Sequence, residues 1–254
     1  MIKYSGALAG LQIVHVGGKS TTALTGGRLF APSEIAVPVK GWSPEAPTAM
    51  MAKEFEMWID WFSQAAMRAQ QAGFDFVEIH ATHGYGLNQW LSPITNKRSD
   101  EFGGSIQNRS RLLLTIIKKI RKVVPKLLIA VRLPAQDHMP SGLSFNEMFF
   151  VVSKLQKAGV DLIDVSSGIG GWRRPEGHPG QGYLVEDAAK IKSHSSIPVI
   201  GVGGIESGEF IDKVIQEEKL DFAAVGRAIL ADPAAWNAMH MQRLMHRAES
   251  VNCG

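Results

Sequence analysis

Short apolar runs recur along this chain with helical segments between them, and this alternation constrains the fold more than any other feature. Each run has the length and the β-branched or aromatic content of a buried strand. Six such runs lie at residues 8–16, 76–80, 127–133, 162–167, 197–202 and 222–225. Strands that alternate with helices pair side by side in a parallel sheet. The sequence therefore predicts an α/β fold of the TIM (β/α)8 barrel type, with about six βα units present.

The helix-to-strand turns support a repeated unit. The predicted helices 52–72 and 144–158 are each followed by a glycine, and the two turns are near copies, Ala72-Gly73-Phe74-Asp75 and Ala158-Gly159-Val160-Asp161. Glycine accepts the left-handed conformation that ends many helices. A length of 254 residues with 45% hydrophobic content is ordinary for one barrel. We therefore expect residues 1–254 to form a single domain.

Composition excludes several classes of protein. The formal net charge of +3 is too small and too scattered for a nucleic-acid-binding surface. Cys253 is the single cysteine, which excludes an internal disulfide and a multi-cysteine metal site and points to a reducing compartment. No apolar run approaches the roughly 18 residues of a membrane span. We expect a soluble, cytoplasmic protein that binds neither nucleic acid nor membranes.

Two glycine-rich turns follow the last two predicted strands. The first contains Gly203 and Gly204, and the second contains Gly226 and Arg227. Consecutive turns of this kind are the usual phosphate site of (β/α)8 barrels, where backbone N–H groups and a helix N-terminus hold the anion. The alternative is that they are simply tight turns. The pair of glycines together with the arginine favours phosphate binding.

Two irregular segments interrupt the regular alternation. Residues 16–51 are rich in glycine and proline, and residues 167–182 contain six glycines. Long irregular segments within a compact fold are usually functional. Both segments follow predicted strands, so we expect them to line the ligand-binding face of the barrel.

The run 76–80 ends in a cluster of polar aromatic side chains, His80, His83 and Tyr85. Three interpretations compete. The histidines could bind a metal, although zinc needs three or four ligands and no further partner is evident. They could be structural histidines with satisfied hydrogen bonds. They could also donate hydrogen bonds to a substrate oxygen that gains negative charge, with the Tyr85 phenol delivering a proton.

A set of motifs distributed over most of the chain resembles the Old Yellow Enzyme family of FMN-dependent ene-reductases. The resemblance rests on His80-Ala81-Thr82-His83-Gly84-Tyr85, Asn88-Gln89-Trp90-Leu91-Ser92-Pro93, residues 96–105, Asn108-Arg109, Gly27, Ala31-Pro32-Ser33, Val131-Arg132-Leu133, Ser166-Ser167-Gly168 and the two phosphate turns. It covers residues 6–236. The histidine pair is similar to the bacterial branch that includes dienoyl-CoA reductases.

The resemblance implies a role for each candidate residue. Gln12 matches the glutamine that binds the flavin pyrimidine edge, and Arg132 matches the arginine near flavin N1 and O2. The FMN phosphate would be held by Gly203, Gly204, Gly226 and Arg227. His80 and His83 would hold the carbonyl or nitro oxygen of an activated alkene, and Tyr85 would protonate its α-carbon. The resemblance implies no metal-binding residue.

The resemblance also implies a reaction. NADH or NADPH would reduce FMN, and a small activated alkene such as an enone, enoate or dienoyl thioester would then be reduced in its place. Two alternatives stay open. One is a catalytically impaired barrel that acts as a folded interaction module, and the other is a phosphate-sugar isomerase or aldolase barrel that shares only the phosphate turns.

The chain departs from the family pattern in its first part. The run 8–16 matches the family's third strand, so the first two βα units, about 80 to 100 residues, have no counterpart. Their absence predicts two exposed strand edges. We expect either a fragment or a shortened protein whose barrel is covered by a second copy or a partner chain. His15-Val16-Gly17-Gly18-Lys19 also replaces the more usual His-Ala-Gly-Arg, which leaves open whether a helper cation is present.

Overall fold

The computed structural model describes residues 2–42, 44–171, 174–234 and 236. Cys253, on which the redox argument rests, lies outside this range. The strands in this part of the chain are β1 (Gly10–Ile13), β2 (Phe30–Ala31), β3 (Thr48–Ala49), β4 (Phe76–His80), β5 (Leu128–Pro134), β6 (Leu162–Ser166), β7 (Val199–Gly201) and β8 (Phe222–Ala223). A 3-10 helix (Ile2–Ser5) precedes them. The α-helices are α1 (Thr22–Thr25), α2 (Ala52–Gln71), α3 (Gly86–Leu91), α4 (Ile106–Arg109), α5 (Arg111–Val123), α6 (Phe145–Lys157), α7 (Val185–Lys192), α8 (Gly208–Gln216) and α9 (Arg227–Ala231).

Six of these strands form one parallel sheet in the order β1-β4-β5-β6-β7-β8. The predicted parallel α/β sheet with six strands is confirmed, and the strands follow one another in the sheet as they do in the chain. Several strands are shorter than the apolar runs that predicted them, most clearly β1. β1 ends at Ile13, and just beyond the predicted run the Gly17 amide donates a hydrogen bond to the His15 imidazole and not to a neighbouring strand.

The helices that cover the sheet begin and end at identifiable signals. Glu54 in the first turn of α2 accepts the Met51 amide, and Ser144 and Glu147 form a capping box at the start of α6. Gly73 and Gly159 follow the caps of these helices with φ of 83° and 91°, as the sequence predicts. These turns return the chain to the sheet within a few residues.

The core lies between the sheet and the helices. Alternate strand residues such as Val77, Ile79 and Val131 are fully buried and belong to one cluster with apolar residues of α2, α5 and α6. Successive strand side chains point to opposite faces. Glu78, His80 and the other residues between these positions therefore face the barrel interior, where the candidate site lies.

The sheet is open between β1 and β8, the two edge strands. Leu11 in β1 is 37% exposed, and Phe222 in β8 is 54% exposed. The expected incomplete barrel is confirmed: in the described part of the chain, the outer edges of β1 and β8 are unpaired and carry exposed apolar side chains. Within the described residues, no helix is both long and apolar enough to cross a bilayer.

The irregular segment 16–51 contains regular structure that the sequence did not predict. Its strands β2 and β3 pair in parallel over two residues each, and α1 forms one helical turn. Strands of two residues carry no periodicity, so apolar patterning cannot detect them. The ladder instead depends on contacts between distant parts of the chain.

Candidate active site

The histidine and tyrosine cluster lies at the carboxyl end of β4. His83 and Gly84 adopt positive φ angles of 60° and 73°, so the chain turns sharply as it leaves the strand. Thr82 holds this turn through a hydrogen bond from its hydroxyl to the Ser167 carbonyl oxygen after β6. The ring centroids of His80 and His83 are 5.1 Å apart, and those of His80 and Tyr85 are 5.3 Å apart. The structure therefore brings the three predicted catalytic side chains together.

His80 is buried without using its polar atoms. Its side chain is 3% exposed, and neither ring nitrogen has a hydrogen-bond partner in the described part of the chain. His83 differs, because its Nε2 lies 2.7 Å from the Ser166 hydroxyl. A buried polar group without a partner is rare and indicates a place for a ligand or water. The two ring nitrogens of His80 are therefore suited to hydrogen-bond an atom of a ligand.

Both histidines are neutral at ordinary pH. Burial, with the nearby charges of Arg132 and Lys19, lowers the pKa of His80 to about 4. Burial, followed by the charges of Arg132, His80 and Lys19, lowers the pKa of His83 to about 2. A neutral imidazole carries one N–H donor. The pair can thus donate hydrogen bonds to a ligand oxygen without placing two further cations beside Arg132.

Lowering the pH from about 7 to about 5 is expected to destabilise the protein through these two histidines. The unfolded chain takes up protons in this interval that the folded chain does not, because both folded pKa values are depressed, so the unfolding free energy falls as the pH falls. At pH 5 each histidine lowers the unfolding free energy by about 2 kcal/mol, because the loss is about 1.4 kcal/mol for each pH unit below the ordinary pKa of 6.5. Denaturant unfolding at both pH values measures the change. A His83→Asn variant with the same pH dependence as the wild type would refute this assignment.

Lys19 joins the cluster, although the sequence left its role open. Its Nζ donates a 2.5 Å hydrogen bond to the His83 carbonyl oxygen and lies 4.6 Å from the centroid of the Tyr85 ring. Burial lowers the pKa of Lys19. A cation over an aromatic ring is attracted by its π electrons. The sequence signal for Lys19 is its position shortly after a predicted strand. Because residues 15–19 depart from the usual His-Ala-Gly-Arg motif, the sequence alone did not assign Lys19 to the site.

Arg132 lies beside the cluster on the neighbouring strand. It is the register partner of His80 on one side and of Asp164 on the other. Its Nε lies 3.3 Å from Asp164 Oδ2. Together with His83, Arg132 lines a cavity of about 520 Å³ that continues to the glycine turns after β7 and β8. One cavity thus connects His83 and Arg132 with the predicted phosphate site.

The two glycine turns meet at Arg227. A methyl group at Gly204 would lie 3.4 Å from the Arg227 guanidinium, while a methyl group at Gly226 would meet no other atom within 4 Å. Gly204, Gly226 and Arg227 all line the cavity. Gly203 does not line it. Its φ is 136° and its carbonyl oxygen accepts the amides of Gly182 and Tyr183, so Gly203 holds the loop after β6 in place.

The start of α8 is occupied by the protein itself. The amides of Glu206 and Ser207 both donate to the Gln181 side-chain oxygen, and the Ser207 hydroxyl accepts the Phe210 amide. The expected contribution of this helix N-terminus to phosphate binding is therefore replaced by a contact within the chain. The arginine and the open backbone of the glycine turns are the groups left for an anion.

Gln12 lies apart from this cavity, on the edge strand β1. Its amide Nε2 donates a 2.6 Å hydrogen bond to Glu78 Oε1 on β4. Gln12 is exposed because none of the described strands covers the outer edge of β1. The structure therefore places Gln12 on the interior face of the open barrel, next to the candidate site.

The two irregular segments meet above the barrel. A second depression of about 620 Å³ is lined by Pro38, Val39 and Lys40 from segment 16–51 and, from the segment after β6, by Ser167, Gly168, Gly170, Gly171, Arg174, Pro175 and Glu176. Ser167 lines both this depression and the first cavity. The structure thus brings the described parts of the two segments together, and their role in ligand binding stays a prediction.

The geometry fits a phosphate-bearing cofactor better than a metal. The cavity combines glycine backbone and the Arg227 guanidinium at one end with the His83 imidazole and the Arg132 guanidinium at the other. The described residues contain no group of three or more His, Cys, Asp or Glu side chains that could hold a metal ion. Fold and cavity together fit a (β/α)-barrel enzyme with a phosphate-bearing cofactor.

The chain belongs to the NADH:flavin oxidoreductase / NADH oxidase family, whose model matches residues 1–245. Membership implies FMN as the cofactor and a nicotinamide dinucleotide as the reductant. The groups along the cavity fit FMN, with the phosphate at Gly204, Gly226 and Arg227.

Curated and solved relatives agree with this family. The chain is 39% identical over 233 residues to NADPH dehydrogenase of Geobacillus thermodenitrificans, which covers 92% of this chain and 66% of that protein. It is 37% identical over 232 residues to NADPH dehydrogenase of Bacillus subtilis, with 91% and 66% covered. Histamine dehydrogenase from Rhizobium sp. 4-9 superposes with a TM-score of 0.84 at 29% identity, covering 96% of this chain and 36% of that one. The chain thus spans 66% of the length of the two curated relatives.

Proposed function

We propose that this chain forms a single FMN-binding domain that reduces activated C=C bonds with NADH or NADPH. The observation that carries the proposal is the continuous cavity from His83 and Arg132 to Gly204, Gly226 and Arg227. The names of the curated relatives favour NADPH as the reductant. The single cysteine of the sequence agrees with a cytoplasmic location.

The phosphate end of the cavity holds the cofactor. Arg227 supplies a charged donor, and the missing side chains at Gly204 and Gly226 let the backbone approach the anion. Arg132 places positive charge at the flavin pyrimidine, and the Gln12 amide binds its edge. Bound FMN would supply the hydride chemistry, accepting hydride from the dinucleotide and delivering it to the alkene β-carbon.

The catalytic end binds the alkene. His80 and His83 donate hydrogen bonds to the carbonyl or nitro oxygen, which stabilises the negative charge that develops there during hydride addition. Tyr85 then protonates the α-carbon, and the Lys19 cation over its ring stabilises the phenolate that remains. Substrates are small enones, enoates or dienoyl thioesters.

Anaerobic spectroscopy tests the proposal. We expect added FMN to bind and give the visible flavin bands, NADPH to bleach them, and an α,β-unsaturated ketone to restore them. Arg227→Met should weaken FMN binding by about 10-fold to 100-fold, because a charge-assisted contact to the phosphate is lost. The exposed Arg68 on α2 gives the matched control, Arg68→Met, with unchanged affinity.

Two outcomes would contradict the proposal. If the protein stays colourless after incubation with excess FMN and removal of the unbound FMN, it does not form the cofactor site. Flavin that NADPH bleaches but that the ketone does not reoxidise in the absence of oxygen excludes alkene reduction.

The open edge of the sheet favours one second candidate, a barrel that acts as an interaction module without catalysis. Its support is the unpaired β1 and β8, with exposed Leu11 and Phe222. In that case FMN would neither bind nor raise the thermal midpoint. A rise in midpoint with FMN, as expected for a ligand that binds only the folded state, would exclude it. A second copy or partner chain that covers these edges is compatible with either function.

A further inference from the structure

Four polar side chains on four neighbouring strands face the interior of the open barrel. Gln12 on β1 is the register partner of Glu78 on β4, and Arg132 on β5 is the register partner of Asp164 on β6. Two of them, Gln12 and Arg132, are the residues expected at the flavin pyrimidine. The other two are carboxylic acids for which the proposed reaction has no use.

The two acids are neighbours, and Asp164 is buried while Glu78 is half-buried. Asp164 is 5% exposed, and the Glu78 carboxyl lies within side-chain hydrogen-bonding contact of it. Asp164 Oδ1 has no donor among the described residues. Asp164 Oδ2 lies 3.3 Å from Arg132 Nε, but that N–H is not aligned for a hydrogen bond. Two ionised carboxylates cannot occupy such a site together.

We propose that Glu78 and Asp164 share one proton and act as a positioning pair for Gln12 and Arg132. A protonated carboxyl has an O–H donor, so the shared proton satisfies Asp164 Oδ1 by a hydrogen bond to Glu78. The pair then carries one negative charge, which balances the single charge of Arg132. The positioning role rests on the proposed function, whereas the shared proton does not.

The pair sets the orientation of both cofactor contacts. Glu78 accepts the Gln12 Nε2 hydrogen, which turns the amide oxygen of Gln12 away from Glu78 and leaves it free to accept a hydrogen bond. Asp164 faces the Arg132 guanidinium from the next strand. A second negative charge in the pair would give the pair and Arg132 together a net charge of −1, which disfavours an anionic reduced cofactor beside them.

The charged surroundings of Asp164 agree with this assignment. Burial, opposed by the charge of Arg132 and reinforced by Glu78, raises the pKa of Asp164 to about 7. The groups that face the pair are Arg132 on β5, its neighbour His80 on β4 and Gln12 on β1, while the register partner on β7 is the apolar Ile200. A carboxyl with a raised folded pKa stabilises the fold at low pH and loses that contribution as the pH rises from about 4 to about 7.

Thermal unfolding of the apoprotein tests the shared proton. His80 and His83 titrate over the same interval with the opposite sign, so the informative quantity is the difference between wild type and variant. Asp164→Asn and Glu78→Gln each replace the shared proton by an amide donor. For both variants we expect the difference in thermal midpoint from the wild type, measured at the same pH, to increase by several degrees as the pH rises from about 5 to about 8. The exposed Asp60 on α2 provides the control, Asp60→Asn, with no such gain.

A spectroscopic measurement makes the test independent of folding yield. Infrared spectra of the wild-type apoprotein near pH 6 should contain a protonated carboxyl band that is absent in Asp164→Asn. If either variant folds with the pH dependence of the wild type, or if this band persists in Asp164→Asn, the shared proton is refuted.

FMN binding tests the positioning role separately. The isosteric Asp164→Asn should bind FMN within about twofold of the wild type, whereas Asp164→Leu, which cannot hold Glu78 or face Arg132, should bind about tenfold more weakly. Equal affinities of these two variants would overturn the positioning role. A wild type that binds no FMN refutes the proposed function and the positioning role, while the apoprotein measurements still decide the shared proton.

Discussion

Tyr85→Phe is expected to lower the rate of alkene reduction by about 100-fold to 10,000-fold while the reduction of bound FMN by NADPH stays within about twofold. General acid catalysis contributes factors of this size, and only the second half-reaction needs the phenolic proton. The ring of Tyr85 remains in the variant, so its contacts with His80 and Lys19 are preserved. Anaerobic stopped-flow measurement of the two half-reactions separates them.

Tyr4 provides the matched control for this experiment. It is 95% exposed in the short 3-10 helix that precedes β1, so Tyr4→Phe should leave both half-reactions unchanged. If Tyr85→Phe slows both half-reactions equally, the phenol acts on cofactor binding or on the fold. The assignment of Tyr85 as the proton donor would then be wrong.

Arg109→Met is expected to destabilise the protein by about 3 to 5 kcal/mol, because a buried charged network loses its centre. The Arg109 side chain is 3% exposed. It donates to the carbonyl oxygens of Gly104 and Leu91 and to the Glu147 carboxylate, so it joins α3, α4 and α6 below the active site. The methionine leaves these acceptors without their donor. Chemical denaturation of the variant and the wild type at neutral pH measures the loss.

Arg111 is the control for this substitution. It is exposed at the start of α5 and donates to the Glu101 carbonyl oxygen and to Asn108. Surface contacts of this kind contribute about 0 to 1 kcal/mol, so Arg111→Met should cost less than about 1 kcal/mol. Similar losses for both variants would show that Arg109 is no more than a surface cation in its effect.

The sheet was predictable from sequence because its signals are local. Each strand is a short apolar run, and Gly73 and Gly159 mark helix ends by a conformation that other residues rarely adopt. The positions of His80, His83 and Tyr85 followed from the same signals, since all three come directly after a strand and ligand sites of parallel barrels lie at that end.

What sequence reasoning missed depends on register and on contacts between distant segments. The neighbourhood of Arg132 and Asp164 exists because β5 and β6 pair in one register, and a shift of one residue would turn one of them to the opposite face. Lys19 reaches Tyr85 across 66 positions of sequence, and Gln181 occupies the start of α8. Contacts between distant segments leave no periodic pattern in the sequence, so the pairing of Glu78 with Asp164 is evident only in the three-dimensional structure.

The open side of the sheet also governs how copies of this chain can associate. The outer edges of β1 and β8 are different surfaces, so an edge of one copy that pairs with the unlike edge of another makes a head-to-tail contact rather than a two-fold one. Contacts of this type leave a free edge at each end of the growing assembly and close only if the rotation returns to its start. Strand addition between unlike edges would therefore build polymers, whereas antiparallel pairing of two like edges would close a two-fold dimer.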